Sequence, residues 1–155
     1  MISRISGSGP DLALIHGWGL GSAAWAPIVE ALAQHCRVHL IDLPGYGGPA
    51  SRMDKRPSHE HREQAHEQSI LEGTRCRTPS GAAHSPPDFI QTSAALTDCL
   101  PDGCILCGWS LGGMLALQAA LLAPQRFRGL ILVGSTPSFT QHADWPHAQP
   151  PALLD

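Results

Sequence analysis

An α/β architecture, a mostly parallel sheet with helices on both faces, is the fold this sequence predicts, on three observations. Short, nearly continuous apolar runs alternate with stretches of helical periodicity. The runs are bounded by Gly, Pro or Asp, as strands covered on both faces tend to be. Each polar motif of interest follows a run directly, at what would be the carboxyl end of a strand, where open sheets of this kind bind their ligands.

Taken in order, LALIH (12–16) reads as the first strand. Ser22 is expected to cap a helix over AAWAPIVEALAQH (23–35), in which Trp25, Ile28, Val29 and Leu32 recur at helical spacing. RVHLIDL (37–43) is the second strand. FIQTSAALTDCL (89–100) forms a helix with Phe89, Leu96 and Leu100 as its buried stripe. CILCGWS (104–110) is the third strand, LGGMLALQAALLA (111–123) a helix of strong formers ended by Pro124, and GLILVGS (129–135) the fourth strand. Right-handed crossovers then put the helices on both faces.

Residues 49–87 break this pattern. They hold 11 of the chain's 23 Asp, Glu, Lys and Arg residues and, among large hydrophobics, only Met53, Ile70 and Leu71. Such a stretch cannot bury enough apolar surface to offset its ordering entropy, so a disordered excursion with a frayed helix near Ser58 to Leu71 is expected. A misread or inserted stretch of coding sequence would have the same composition. His59, His61 and His66 fall in this segment, but no recognised ligand spacing completes a metal site, and a solvated charged run is the simpler reading.

With 155 residues, 43% of them hydrophobic, the expectation is one domain, 1–155, interrupted at 49–87. A net charge of −3 gives no nucleic-acid footprint and no draw toward an anionic membrane. No leader and no apolar run near the ~20 residues of a membrane helix are seen, so a cytoplasmic monomer is expected. An odd count of five cysteines argues against a disulfide framework. Cys104 and Cys107 form a C-x-x-C, but three residues apart on a strand they point to opposite faces.

The chemistry concentrates in Gly108-Trp109-Ser110-Leu111-Gly112, a G-x-S-x-G between an apolar strand and a helix. At so tight a turn a side chain on Gly108 or Gly112 would strike the adjoining helix or strand, while Ser110 is held strained with its hydroxyl exposed. The motif alone also suits a small-residue packing turn. His16-Gly17-Trp18-Gly19, at the end of the first strand, tips the balance, since a loop there supplies the second oxyanion donor in sites of this type. Ser110 is therefore the expected nucleophile, and the backbone N–H groups of Trp18 and Leu111 the expected oxyanion hole.

LALIHGWGLGSAAW (12–25), HLIDLPGYG (39–47), LCGWSLGGMLALQAALLAPQRFRGLILVGSTPSF (106–139) and DWP (144–146) resemble the α/β-hydrolases, and more narrowly the pimeloyl-[acyl-carrier protein] methyl ester esterases of biotin synthesis. The resemblance lapses over 49–87. It implies a serine carboxylesterase that hydrolyses the methyl ester of a carrier-protein-bound dicarboxylic acyl chain, with Trp18 and Leu111 also lining the acyl site and no metal or organic cofactor. Other activities of the superfamily stay open: a general esterase, a thioesterase or a carbon–carbon hydrolase. So does a binding module without chemistry.

A serine needs a histidine to take its proton and a carboxylate to orient that histidine. By the resemblance these, the last strands and the helical lid lie past Asp155, so a partial α/β-hydrolase fold is expected, inactive as it stands. Asp144 and His147 follow Ser110 in the right order, but Pro146 stiffens the link between them. His16 and Asp42 read as loop-shaping residues, and His142 as a surface residue.

Overall fold

The computed structural model describes residues 1–46 and 88–153, so the segment expected to be disordered at 49–87, with His59, His61 and His66, lies outside the described residues. Five strands form one sheet: β1 (Ile2–Ser6), β2 (Asp11–Ile15), β3 (Arg37–Asp42), β4 (Cys104–Trp109) and β5 (Phe127–Val133), in spatial order β1-β3-β2-β4-β5. All neighbouring pairs are parallel except β1 with β3. Helices α1 (Ala26–Ala33), α2 (Phe89–Cys99) and α3 (Leu111–Leu122) supply the crossovers.

Alternation along β2 explains both layers, because successive side chains of a strand face opposite ways. Leu12 and Leu14 pack with Trp25, Val38 and Cys107 against α1, through Val29, Leu32 and Ala33. Ala13 and Ile15 face the other layer with Ile41, Leu106, Leu96 of α2 and Leu115 of α3. Burial on both faces is why β2, β3 and β4 read as unbroken apolar runs; the run GLILV of the edge strand β5, expected to be covered likewise, instead leaves Ile131, Leu132 and Val133 exposed. Cys104 and Cys107 fall in opposite layers, as their spacing requires. Burial pushes the Cys104 thiol up to about 12 and raises that of Cys107 as well, so both thiolates are disfavoured.

Four features depart from the sequence reading. Strand β1 was not expected: ISRIS alternates poorly, and its place is an antiparallel edge, where one face needs no apolar cover. Ser22 does not cap a helix with its side chain. It opens a short 3-10 turn (Ser22–Trp25), and its own N–H donates to Asp42 Oδ1 at 2.8 Å, so a carboxylate from β3 satisfies this helix start. Phe89 and Ile28 are 37% and 42% exposed; of the expected α2 stripe Leu96 and Leu100 are buried, joined by Thr92, Ser93 and Thr97 rather than by Phe89. Cys99, at the end of α2, is disulfide-bonded, although an odd count of cysteines argues against a disulfide framework.

Candidate active site

Sheet register brings the strand ends together. Ile15 of β2 pairs with both Ile41 of β3 and Gly108 of β4, and Trp109 pairs with Val133 of β5. The loops that follow, from His16, Leu43, Ser110 and Gly134, therefore leave the same edge of the sheet.

Ser110 connects β4 to α3 with no intervening residue, at φ 52° and ψ −118°. It is the non-glycine residue with positive φ among the described residues, a conformation that costs about 1–3 kcal/mol and persists only when its surroundings hold it. They do. The Ser110 N–H donates to Val133 O at 2.9 Å, and its carbonyl accepts the N–H groups of Gly113 and Met114 at 2.9 and 3.2 Å. Ser110 stands at the helix start without a side-chain capping bond, which leaves its hydroxyl uncommitted to the helix.

Packing around the turn demands glycine. A methyl on Gly108 would collide with the backbone of Gly112 and Gly113, so α3 lies directly against β4. One on Gly112 would meet the end of β2, 2.5 Å from His16 O and 2.7 Å from the Ile15 carbonyl carbon. The helix start is thus pressed between two strands, with the Leu111 N–H in its first, partly positive turn.

The second loop, Gly17–Leu20, runs past the serine: a methyl on Gly17 would sit 3.4 Å from Ser110 Cβ and 3.3 Å from Trp109 O. Trp18 itself is 79% exposed. His16, fully buried, shapes the loop with both ring nitrogens. Its Nδ1 donates to Gly17 O at 2.8 Å, and its Nε2 accepts the Leu43 N–H at 3.1 Å. With Nε2 an acceptor and Nδ1 a donor, the ring has one consistent neutral tautomer and no free nitrogen with which to take a proton from Ser110. Tyr46, from the loop after β3, packs edge-on against His16 at 5.1 Å, and its hydroxyl accepts the Gly19 N–H at 3.2 Å.

Three of these residues were not singled out from sequence. Ser135, just past β5, donates its hydroxyl to Ser110 O at 3.0 Å, with Val133 O at 3.2 Å as the other acceptor. A methyl on Gly113 would fall on the Ser135 Oγ, so the second glycine of the motif makes room for that hydroxyl. Tyr46 is the third. The doubled glycine in GWSLGG was a signal for the first two; nothing local marked Tyr46.

Asp144 and His147 are both exposed, and the His147 ring stacks edge-on with Trp145 at 5.8 Å. The ion pairs among the described residues are Arg37–Asp11, His39–Asp11 and Arg126–Asp102; among these residues none pairs a carboxylate with His147. The His39–Asp11 contact lies at the opposite, amino edge of the parallel strands. Among the described residues no three His, Cys, Asp or Glu side chains gather as metal ligands, and no helix is long and apolar enough to cross a membrane. An apolar cavity of about 360 Å³ is lined by Leu43, Tyr46, Phe89, Leu111 and Leu115.

A family model described as the alpha/beta hydrolase fold matches residues 12–155. Pimeloyl-[acyl-carrier protein] methyl ester esterases from Aeromonas hydrophila, Nitrosomonas europaea and Stenotrophomonas maltophilia are 40%, 38% and 37% identical over 95%, 91% and 97% of this chain. The chain spans only 46%, 43% and 46% of those relatives, about half their length. Among solved structures, an esterase from Exiguobacterium antarcticum superposes with a TM-score of 0.68 at 19% identity, covering 98% of this chain and 48% of that one. A hydrolase from Pseudomonas aeruginosa gives 0.63 at 23% identity, over 92% of this chain and 44% of that one. At those identities the structures speak for the fold.

Proposed function

The chain belongs to the α/β-hydrolase fold family, and from that premise we propose that the full-length protein is a cytoplasmic serine carboxylesterase that hydrolyses the methyl ester of an acyl chain carried on acyl-carrier protein. The observation that carries this reading is Ser110 itself: a strained, uncapped serine at a strand–helix turn, directly beside the Gly17–Leu20 loop. The substrate class is supported by the printed names of relatives at 37–40% identity.

In this mechanism the Ser110 hydroxyl attacks the ester carbonyl as a histidine removes its proton. The negative oxygen of the tetrahedral intermediate lies between the Trp18 and Leu111 N–H groups, with the start of α3 adding its dipole. Collapse breaks the bond to the methoxy group, which takes the proton from the histidine and leaves as methanol. Water then attacks the acyl-serine by the same route and frees the acid. The apolar cavity lined by Leu111 offers room for methylene groups of the acyl chain.

His16 is committed to backbone on both nitrogens, and His39 to Asp11. In our reading the base and its carboxylate come from the part of the relatives' length that these 155 residues do not span. The 155 residues alone are then expected to be inactive. A fluorophosphonate should label the full-length protein at Ser110, and that protein should release methanol from a carrier-linked methyl ester. Labelling at another residue, or restoration of other ester hydrolysis but not of pimeloyl synthesis in a deficient strain, would respectively remove the nucleophile or the substrate.

A further inference from the structure

Ser135 has no part in the mechanism above, yet its hydroxyl reaches back 25 positions to the carbonyl of the candidate nucleophile, at 3.0 Å. That carbonyl is half of a planar trans peptide whose other half is the Leu111 N–H, pointing the opposite way. A hydrogen bond to the carbonyl oxygen fixes the plane of the whole unit and draws electron density from its nitrogen, which makes the N–H a stronger donor.

We propose that Ser135 is a positioning residue: by holding and polarising the 110–111 peptide, it aims and strengthens the Leu111 N–H as an oxyanion donor. This inference rests on the esterase reading. The hydroxyl has one proton and two acceptors in reach. Ser110 O, at 3.0 Å, is nearer than Val133 O at 3.2 Å; it also takes the Gly113 and Met114 N–H groups from within α3, so Ser135 is the side chain that grips this carbonyl from outside the helix. Gly113 gives the second line of support, since any Cβ there would occupy the place of the Ser135 hydroxyl, with Ser135 Cβ 2.7 Å away. The other turn repeats the arrangement: the Gly17 carbonyl, in the peptide that carries the Trp18 N–H, accepts His16 Nδ1–H at 2.8 Å. Each donor peptide is thus gripped by a side chain on its carbonyl side.

The test uses the full-length protein, steady-state methyl-ester hydrolysis, and an alkyl boronic acid, which forms a tetrahedral anion on an active serine. Ser135→Ala should lower kcat about tenfold and weaken the boronate by a similar factor, with KM within about twofold. Its melting temperature should stay within a few degrees of the parent. Ser135→Thr, which keeps the hydroxyl, should recover kcat to within about threefold of wild type. Should Ser135→Ala fail to accumulate, Ser135→Cys, a far weaker donor, carries the same expected pattern. Unchanged kcat in Ser135→Ala overturns the inference, as does a fall in kcat with no loss of boronate affinity. If wild type shows no Ser110-dependent hydrolysis, the esterase reading fails and takes this one with it; active wild type with an indifferent Ser135→Ala sinks this one alone.

Discussion

The two turns that meet beside Ser110 are held in different ways. In the elbow from Gly108 to Gly113 the three glycines are buried, placed where a single methyl would collide with backbone or with Ser135. The Gly17–Leu20 loop has its tryptophan in solvent and open space beside Gly19, and it keeps its shape through the His16 ring, the Tyr46 hydroxyl and a long Leu20 N–H to Gly17 O bond of 3.4 Å. Packing holds the first; a few hydrogen bonds hold the second. Substitutions of the elbow glycines should therefore be costly to the fold and those in the loop chiefly to the rate.

Ser110→Ala has the largest expected effect, since it deletes the nucleophile from a turn whose shape does not depend on that hydroxyl. Turnover of a methyl ester by the full-length protein should fall about 10⁴-fold or more with the fold intact, as read by stopped assays and a thermal melt. Gly112→Ala tests the packed turn next. Backbone atoms of Ile15 and His16 cannot both move aside cheaply, so a loss of about 2–4 kcal/mol in denaturant unfolding is expected, with activity lost alongside.

Tyr46→Phe probes the tethered loop. It keeps the ring against His16 and removes only the acceptor for the Gly19 N–H, a solvent-exposed bond. Water can replace it in part, so kcat should fall about threefold with little change in melting temperature. A fall in stability as large as that of Gly112→Ala would erase the contrast between the two turns. Trp18→Ala is expected to do least. The candidate donor there is backbone, and a side chain 79% exposed should change stability by no more than about 0.5 kcal/mol and kcat on a small ester by about twofold.

Much of this was legible in one dimension because double-sided burial leaves an unmistakable trace: Leu12 to Ile15, Val38 to Asp42 and Cys104 to Gly108 supply both layers of core. The turn signals were local too, since Gly108 and Gly112 flank the serine they serve. What escaped was set by neighbours distant in sequence. Strand β1 earns its place by pairing with β3, and its own alternation is weak. The sequence offers Ser22 as a side-chain cap, but the bond that holds this turn joins its backbone to Asp42, 20 residues away. Phe89 fits a helical stripe yet faces the apolar cavity and is 37% exposed, which periodicity cannot reveal. Ser135 reads as an ordinary end-of-strand serine until the fold brings Ser110 next to it.

The back-to-back placement of Cys104 and Cys107 on β4 gives the sheet an internal gauge. One sulfur reports on the layer roofed by α2 and α3, the other on the layer roofed by α1. Because both sulfurs are buried and burial raises both thiol pKa values, each reacts chiefly when its own roof lifts, so the alkylation rates of the two thiols, followed separately, would time the opening of each side of the molecule.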